Sequence, residues 1–290
     1  MSAVEGGSDP RISVVILTYN RAEELLRTVA HTVALPERPP VIVVDNGSSD
    51  GSAALVSERF PEVRVMRLRE NFGAAARNVG ARAARTPYVA FSDDDTVWAP
   101  GSLALAVELL DAHPRVAVLS ARVLVGCDER EDPACAAMAA SPLPSSGLPG
   151  RAVMGFLAGA SAFRRDAFLE VRGYEPRFFI GGEEALLAFD LATLGWSVVY
   201  NDRLTVHHHP SSYRDAAARR RLLARNALWV AWLRRPLGGA LRQTLRVLGD
   251  GLRDPGLIAG CFDALRGLPW VLRNRRVVPP HVEALRHRSE

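Results

Sequence analysis

The chain has 290 residues, of which 48% are apolar, so it can bury a large core as one domain or as a domain with an appendage. Its three cysteines have no CxxC spacing, which argues against a disulfide framework and a zinc site. No apolar run reaches the length of about 20 residues that a membrane-spanning helix needs, and the N-terminus lacks the features of a signal peptide, so we expect a cytoplasmic protein.

Short apolar runs alternate with amphipathic stretches between residues 12 and 121, which is typical of βαβ units in a mostly parallel sheet. The predicted buried strands are residues 12–17, 41–44, 63–68, 88–91 and 116–120. The predicted helices are residues 22–33, 52–60, 74–85 and 102–112.

The next part of the chain has a weaker pattern. Residues 126–151 are rich in Pro, Ser, Gly and Ala, and we expect a long loop or lid near the site, with the charges of 128–132 in solvent. The elements predicted after it are strands at 153–163, 198–200 and 204–206 and helices at 165–171 and 183–194. We therefore expect three segments, which are a disordered N-terminus (1–10), an α/β domain (11–212) and an Arg-rich helical extension (213–290).

Three consecutive carboxylates, Asp93, Asp94 and Asp95, directly follow the fourth predicted strand. Like charges held this closely repel, so a cation usually neutralises them, and carboxylate oxygens suit Mg²⁺ or Mn²⁺. Such a cation normally also holds a phosphate. An acidic turn that caps the following helix is the alternative.

Polar clusters also end the first two strands. They are Thr18-Tyr19-Asn20 and Asp45-Asn46-Gly47. In open α/β sheets, ligands bind in the crevice beyond the carboxyl ends of the strands, so we expect these clusters and the acidic triplet to share one site.

Five stretches of the chain resemble the family 2 glycosyltransferases, which are inverting enzymes of the GT-A fold that move a sugar from a nucleotide diphosphate donor to an acceptor. They are SVVILTYNR (13–21), VIVVDNGSSDGS (41–52), ENFGAAARNVGARAA (70–84), YVAFSDDDTVWAPGSL (88–103) and GASAFRRDAFLEVRGYEPRFFIGGEE (159–184). They occur in the family's order, and the resemblance covers the chain from about residue 11 to 210. Within the family, the chain resembles the rhamnosyltransferase-like subgroup. It implies a GT-A fold with a mostly parallel central sheet flanked by helices, followed here by a C-terminal helical extension.

The resemblance implies a metal site built on the acidic triplet. It makes Asp95 the metal ligand, with Asp93 as the other end of the DxD motif and Asp94 reaching the ribose or a metal-bound water. A bound Mn²⁺ or Mg²⁺ would balance the charge that builds on the leaving diphosphate. Among histidines 207–209, His208 would complete the site, which favours Mn²⁺. A structural role for all three histidines is the alternative.

The resemblance also implies a set of nucleotide-binding residues. Asp45 would accept a hydrogen bond from the base or the ribose, although it could instead open an Asx-turn. Thr18 and Tyr19, with Asn20 in the same cluster, would lie against the nucleotide. Arg77 would face the base or the pyrophosphate, unless it is a solvent-exposed helix residue.

An inverting transfer needs one general base that accepts the proton of the acceptor hydroxyl. By resemblance, Glu184 is that base and Glu183 is the partner that orients the acceptor. The chain departs from the family pattern just beyond this pair, because Leu186 and Asp190 stand where relatives often have Asp and Arg.

The resulting function is transfer of a sugar from a UDP- or dTDP-linked donor to the hydroxyl of a glycan, a lipid-linked intermediate or a small natural product. A nucleotidyltransferase should carry a Gly-rich loop after the first strand, and a dinucleotide-dependent oxidoreductase a GxGxxG motif, and the chain has neither. A catalytically silent sugar-nucleotide-binding or scaffold domain is the alternative from another class.

The C-terminal extension is strongly basic, with sixteen Arg against six Asp and Glu from residue 214 onward. Between 219 and 235, arginines alternate with leucines, Trp229 and Trp232. This pattern fits a helix that lies on an anionic membrane, which would place the protein at the inner face of the membrane. A helix packed on the catalytic domain or on a second subunit is the alternative. No recognition module accompanies the charge, so we do not expect nucleic-acid binding.

Overall fold

The computed structural model describes residues 10–210 and 216–289, with the side chains of 216 and 217 left out. The strands are β1 (Ile12–Thr18), β2 (Val41–Asp45), β3 (Arg64–Arg67), β4 (Tyr88–Asp93), β5 (Thr96–Trp98), β6 (Val116–Val125), β7 (Arg130–Glu131), β8 (Arg151–Ala152), β9 (Ala160–Arg164) and β10 (Ser197–His208). The helices are α1 (Ala22–Val33), α2 (Ser52–Arg59), α3 (Arg77–Ala83), α4 (Ser102–Ala112), α5 (Pro133–Ala139), α6 (Arg165–Glu170), α7 (Glu183–Thr193), α8 (Ala216–Arg234), α9 (Leu237–Gly251), α10 (Pro255–Arg266), α11 (Leu268–Arg273) and α12 (Pro280–Ser289).

One mixed sheet runs through the part of the chain that ends with β10, in the order β3-β2-β1-β4-β9-β6-β10-β5, with β7 beside β6 and β8 beside β10. The first four strands of this order are parallel. β9 is antiparallel to both neighbours, β4 and β6, while β6 and β10 are parallel. The parallel βαβ units predicted for the N-terminal half are therefore confirmed, and helices flank the sheet as expected.

The predicted elements agree best where apolar periodicity is strong. Helices α1 and α4 have the predicted bounds. The helix predicted at 74–85 begins as the 3₁₀ turn Gly73–Ala76 and continues as α3. The two short strands predicted near residue 200 form one strand, β10, whose pairing with β6 is interrupted between Asn201 and Thr205.

Two predictions of local structure were wrong. The strand predicted at 153–163 is confined to β9, and Gly155 and Gly159 lie in the irregular segment that precedes it. The predicted loop at 126–151 contains helix α5, whose N-cap Asp132 accepts a hydrogen bond of 2.8 Å from the amide of Ala134. A capping carboxylate followed by a proline is a signal for the start of a helix. The prediction that the charges of 128–132 lie in solvent overlooked this signal at Asp132 and Pro133.

The C-terminal helices pack on the preceding α/β part of the chain. Trp229 of α8 is 8% exposed, and its ring makes edge contacts with Phe178 and Trp270. Asp190 of α7 forms a two-bonded ion pair with Arg234 of α8, which gives this departure from the family pattern a structural role. The packed alternative therefore describes α8. No helix in the described residues combines the length and the apolar character needed to cross a membrane.

The predicted disordered segment 1–10 lies outside the described residues except for Pro10, and so does the predicted boundary between 212 and 213.

Candidate active site

A cavity of about 590 Å³ opens at the carboxyl ends of β1 and β4. Nine of the predicted site residues line it: Thr18, Tyr19, Arg77, Asp93, Asp94, Asp95, Glu183, Glu184 and His208. The sheet register explains part of this convergence, because Thr18 pairs with Asp45 across β1 and β2, and Leu17 pairs with Asp93 across β1 and β4. The ends of neighbouring parallel strands thus bring together residues that are far apart in sequence.

Asp94 is held in place by groups on β1 and α1. Its side chain accepts hydrogen bonds from Thr18 Oγ1 at 2.9 Å and from Arg21 Nη1 at 3.0 Å, and its backbone carbonyl accepts one from Thr28 Oγ1 at 2.7 Å. Burial raises the pKa of Asp94 to about 7, against the opposing effect of the Arg21 charge.

Asp95 faces both a cation and an imidazole. Its Oδ2 accepts a hydrogen bond of 2.8 Å from Arg21, and its Oδ1 lies 3.5 Å from His208 Nε2. Burial acts to raise the pKa of Asp95, but the interactions with His208 and Arg21 outweigh it and lower the pKa. Asp95 is therefore an ionised carboxylate at neutral pH.

Asp93 is paired with Arg77. The guanidinium of Arg77, which is 5% exposed, donates from Nη2 to Asp93 Oδ1. Burial acts to lower the pKa of Arg77, and the nearby Asp93 charge outweighs it, so Arg77 stays charged. The other side of Asp93 lies against Gly159, where an added Cβ would come within 2.5 Å of Asp93 Oδ2. The alternative that Arg77 is an exposed helix residue is wrong.

Only one of the three consecutive histidines lines the cavity. His208 does so, whereas the His207 ring lies 3.3 Å from the carboxylate of Glu129. The backbone amide of His209 donates to the carbonyl of Asp95 at 2.8 Å, which ties the end of β10 to the acidic triplet.

Two predicted site residues do not line the cavity. Asp45 is 1% exposed, its Oδ1 accepts from the amide of Ser48 at 2.8 Å, and its Oδ2 has no hydrogen-bond partner although Arg67 Nε lies 3.8 Å away. Asn20 joins the two strand-end loops, since its amide donates to Ser48 Oγ at 2.9 Å and its Oδ1 accepts from the amide of Ser49 at 2.8 Å. Asp45 thus forms a local side-chain-to-backbone bond of the kind considered for it, although the bond reaches Ser48 rather than the residue two positions on, as in an Asx-turn, and its Oδ2 has no hydrogen-bond partner.

Glu183 and Glu184 begin α7 on the far side of the cavity. The helix starts after Gly181 and Gly182, whose φ angles of 83° and 89° are in the left-handed region that suits glycine. Glu183 is 3% exposed and its Oε2 has no hydrogen-bond partner, whereas Glu184 is partly exposed. Burial, followed by the like charge of Glu184, raises the pKa of Glu183, and burial also raises the pKa of Glu184.

The segment before these glutamates is fixed from two sides. The amide of Ala74 donates to the carbonyl of Phe179 at 2.7 Å, and a Cβ on Gly73 would come within 1.9 Å of that carbonyl oxygen. From α8, the buried Asn226 donates through Nδ2 to the carbonyls of Phe178 at 2.9 Å and Ile180 at 3.1 Å. The C-terminal extension thus takes part in shaping the site.

The sequence interpretation missed several cavity residues. Arg21 contacts both Asp94 and Asp95, and its place at the end of the SVVILTYNR stretch was the available signal. Asp132 at the start of α5 also lines the cavity, in a segment expected near the site but with its charges in solvent. Arg219 of α8 lines the cavity too, and no sequence pattern placed the C-terminal extension there.

The chain is similar to known glycosyltransferases. The model of glycosyl transferase family 2 matches residues 13–172. An N-acetylglucosaminyl-diphospho-decaprenol L-rhamnosyltransferase of Mycobacterium tuberculosis is 28% identical in an alignment that covers 81% of this chain and 90% of the relative. A validoxylamine A glucosyltransferase of Streptomyces hygroscopicus subsp. limoneus is 36% identical over 131 residues, or 43% of this chain and 28% of the relative.

Solved structures share the fold. A mannosyltransferase from Pyrobaculum calidifontis in complex with GDP-Man and Mn²⁺ superposes with a TM-score of 0.60 at 20% identity, covering 98% of this chain and 86% of that one. The UDP complex of S. aureus TarS has a TM-score of 0.53 at 21% identity, covering 75% and 65% of the two chains. The family match extends over more than half of the sequence and the fold agrees with the GT-A glycosyltransferases, so the chain is a glycosyltransferase that belongs to family 2.

Proposed function

We propose that the protein is an inverting glycosyltransferase that moves a sugar from a UDP- or dTDP-linked donor to an acceptor hydroxyl, with a divalent metal and Glu184 as general base. The observation that carries this proposal is that Asp93–Asp95 at the end of β4 and Glu183–Glu184 at the start of α7 face one cavity. The transfer chemistry would lie in segment 11–212, with α8 of segment 213–290 closing the cavity.

Asp95 and His208 are the residues that fit a divalent metal best. Their facing atoms are 3.5 Å apart, and a carboxylate oxygen with an imidazole nitrogen is a donor set that suits Mn²⁺ better than Mg²⁺. No group of three or more metal-binding side chains is assembled among residues 10–210 and 216–289, so donor phosphates and waters would supply the remaining ligands, as is usual at nucleotide sites. Asp93 would join only after releasing Arg77. A metal bound here would act as a Lewis acid on the diphosphate.

The strand-end residues would bind the nucleotide. The Oδ2 of Asp45 accepts no hydrogen bond, which supports a role as acceptor for the imide N–H of uracil or thymine or for a ribose hydroxyl, although the loop that buries it outside the cavity lining would have to move aside for the nucleotide. Tyr19 is 46% exposed at the cavity and can lie against the base, with Thr18 behind it. Asn20 would position these residues through the loop contacts described above. Arg77 would place its positive charge near the diphosphate.

The proposed reaction is a single displacement. The acceptor oxygen forms a bond to the anomeric carbon while the bond from that carbon to the diphosphate oxygen breaks, and the electron pair leaves with the nucleoside diphosphate. The hydroxyl proton passes to Glu184, which is the more exposed residue of the pair. Glu183, whose Oε2 has no hydrogen-bond partner, would accept a hydrogen bond from the acceptor and orient it. Attack opposite the leaving group inverts the anomeric configuration.

The relatives support a proposal for the class of acceptor. The Mycobacterium tuberculosis relative that covers most of this chain is named for a decaprenol-linked substrate, which supports a lipid-linked acceptor and fits the rhamnosyltransferase-like subgroup. The shorter match to a validoxylamine A glucosyltransferase keeps small natural products among the candidates, along with glycans.

A nucleotide-sugar panel tests the proposal. UDP-, dTDP- and GDP-linked sugars are added with Mn²⁺ while thermal unfolding is followed, since a ligand that binds the folded state raises the transition temperature. The sugar that gives a shift is then used in transfer assays, with NMR of the product's anomeric centre. We expect one donor to stabilise the protein and the product to be inverted. A retained configuration would refute the inverting mechanism, and stabilisation without any release of nucleoside diphosphate would favour a silent binding domain.

A further inference from the structure

Helix α9 exposes a row of leucines along one face. We define the leucine face as Leu237, Leu241, Leu245, Leu248 and Leu252, whose exposed fractions range from 41% to 86%. Their spacing of three and four residues places them on one side of the helix. The residues directly before Leu241, Leu248 and Leu252, at positions 240, 247 and 251, are buried. Successive residues of a helix are about 100° apart around the axis, so the leucine face lies roughly 100° from the face that packs on the protein.

The rest of this region adds to the exposed apolar surface. Nine of the sixteen exposed large hydrophobic side chains in the described residues lie between 237 and 277, and they include Phe262, Leu265, Leu272 and Val277. A single exposed leucine is ordinary on a soluble protein. Nine exposed large hydrophobic side chains in this one stretch of the chain indicate a surface that a membrane or another molecule covers.

Positive charge accompanies the apolar surface. Between 237 and 277 there are seven arginines against three aspartates. In the described part of the chain, the exposed Arg246, Arg253, Arg273 and Arg276 have no carboxylate within ion-pair distance. The Asp254 and Asp263 carboxylates are already paired with arginines. A second copy of the chain would bring the same positive charge against this region, whereas an anionic surface would complement it.

The order of faces around α9 fits a membrane surface. Moving around the helix axis, the protein-facing side is followed by the leucine face and then by Arg242 and Arg246, each one position beyond a leucine. A helix that lies in the plane of a bilayer interface has this arrangement, because leucines enter the acyl boundary while arginines meet lipid phosphates.

We propose that the leucine face of α9 docks on an anionic lipid bilayer. Helix α8 packs against α9 and α10 and also lines the cavity with Arg219 and Leu222, so the docking surface and the site share one helix. Docking would hold the cavity near the membrane, where the hydroxyl of a lipid-linked acceptor is found. That last step rests on the proposed function, but the docking itself does not. The proposal moves the expected membrane contact from α8, which is packed, to α9.

Vesicle sedimentation tests the docking. The full chain is mixed with vesicles of phosphatidylcholine plus phosphatidylglycerol, or of phosphatidylcholine alone. The test variant combines Leu241→Glu with Leu245→Glu, and the matched control is Leu55→Glu, which changes an exposed leucine of α2. We expect wild type and control to sediment with anionic vesicles, and the double variant to lose at least tenfold in partitioning with unchanged thermal unfolding. Arg246→Glu with Arg253→Glu should also lower partitioning roughly tenfold and weaken its salt dependence.

The results that overturn the proposal are distinct. Wild type that stays in the supernatant with anionic vesicles at low salt refutes it, and so does a leucine double variant that binds like wild type. A dimer in sedimentation velocity that the leucine variants dissociate would assign the surface to a second copy instead. Release of nucleoside diphosphate from a soluble donor should be the same in wild type and the leucine double variant. Docking without any transferase activity would refute only the proposed function.

Discussion

Asn226 of α8 and Phe178, which precedes the candidate catalytic pair by five residues, are joined by a hydrogen bond of 2.9 Å from the side-chain amide to the backbone carbonyl. The same amide reaches the carbonyls of Ile180 and Gly181. A helix of the C-terminal extension therefore determines the path of the segment that presents Glu183 and Glu184.

Replacing Asn226 with alanine should disturb both stability and turnover. Asn226→Ala removes the side-chain donor to the carbonyls of Ile180 and Gly181, whereas the carbonyl of Phe178 keeps its bonds from the amide of Ile180 and from Arg225. We expect the free energy of unfolding to fall by about 2–3 kcal/mol. We also expect kcat to fall at least tenfold, because the glutamates lose their fixed position. Denaturant unfolding and donor turnover measure the two effects. The control is Asn274→Ala, whose amide contacts one exposed carbonyl. Equal effects of the two substitutions would contradict the role assigned to Asn226.

We predict that Gly73 cannot be replaced because an added Cβ would clash with the backbone, and this clash can be separated from the strain of a positive φ. Gly73 has a φ of +58° and its added Cβ would clash with the carbonyl of Phe179, while Gly51 has a φ of +84° with no atom within 4 Å of an added Cβ. Gly51→Ala should cost about 1–2 kcal/mol from strain alone. Gly73→Ala should cost more than about 3 kcal/mol in urea unfolding, because a backbone atom cannot move aside easily. Similar costs would mean that the loop near Phe179 can yield.

The glutamate pair predicts the acidic limb of the pH–rate profile. Burial raises the pKa of both carboxylates, so the deprotonated base should become populated only well above the ordinary Glu pKa of about 4.3. We expect kcat/KM to rise with pH through this raised apparent pKa, which belongs to the pair.

The partner substitution tests that coupling. Glu183→Gln removes a like charge, so the acidic limb should move to lower pH, whereas the exposed Glu58→Gln should leave it in place. The raised pKa values also determine the direction in which stability changes with pH. The folded state retains protons that the unfolded chain has released, so the free energy of unfolding should fall as pH rises between the ordinary and the raised pKa. A wild-type limb near pH 4.3 would contradict the burial argument.

Local patterns in the sequence predicted the elements that position the site. The apolar runs of β1, β2 and β4 and the periodicity of α1 and α4 depend on neighbours in sequence, and the convergence of Thr18 and the acidic triplet followed from the rule for strand ends. The resemblance supplied the glutamates.

The rest depended on tertiary partners. The arginines and tryptophans of α8 suit a membrane or a protein surface equally well, and their tertiary partners decide between the two, such as Asp190 for Arg234 and the Phe178 carbonyl for Arg225. The pairing of Asp93 with Arg77 could not be predicted, because nothing local distinguishes it from an exposed arginine on a helix. Helix α5 was missed because its composition resembles a loop and its cap is a single carboxylate.

Base catalysis is tested by Glu184→Gln. The amide cannot accept the acceptor proton, so we expect kcat to fall by about 10²-fold or more, while donor binding stays near wild type. Calorimetric binding of the donor and steady-state turnover separate these effects, with Glu58→Gln as the matched control. If Glu184→Gln retains turnover, the base lies elsewhere, and the same comparison with Glu183→Gln identifies whether it is the neighbouring carboxylate.

The most direct test of the central claim is calorimetric binding of UDP, dTDP and GDP, with and without Mn²⁺, to wild type, Asp95→Asn and the exposed control Asp128→Asn. We predict that Mn²⁺ strengthens binding of one nucleoside diphosphate at least tenfold in wild type and in Asp128→Asn, and that Asp95→Asn loses this enhancement. An Asp95→Asn protein whose nucleotide binding still responds fully to Mn²⁺ would contradict the assignment of the metal to this site.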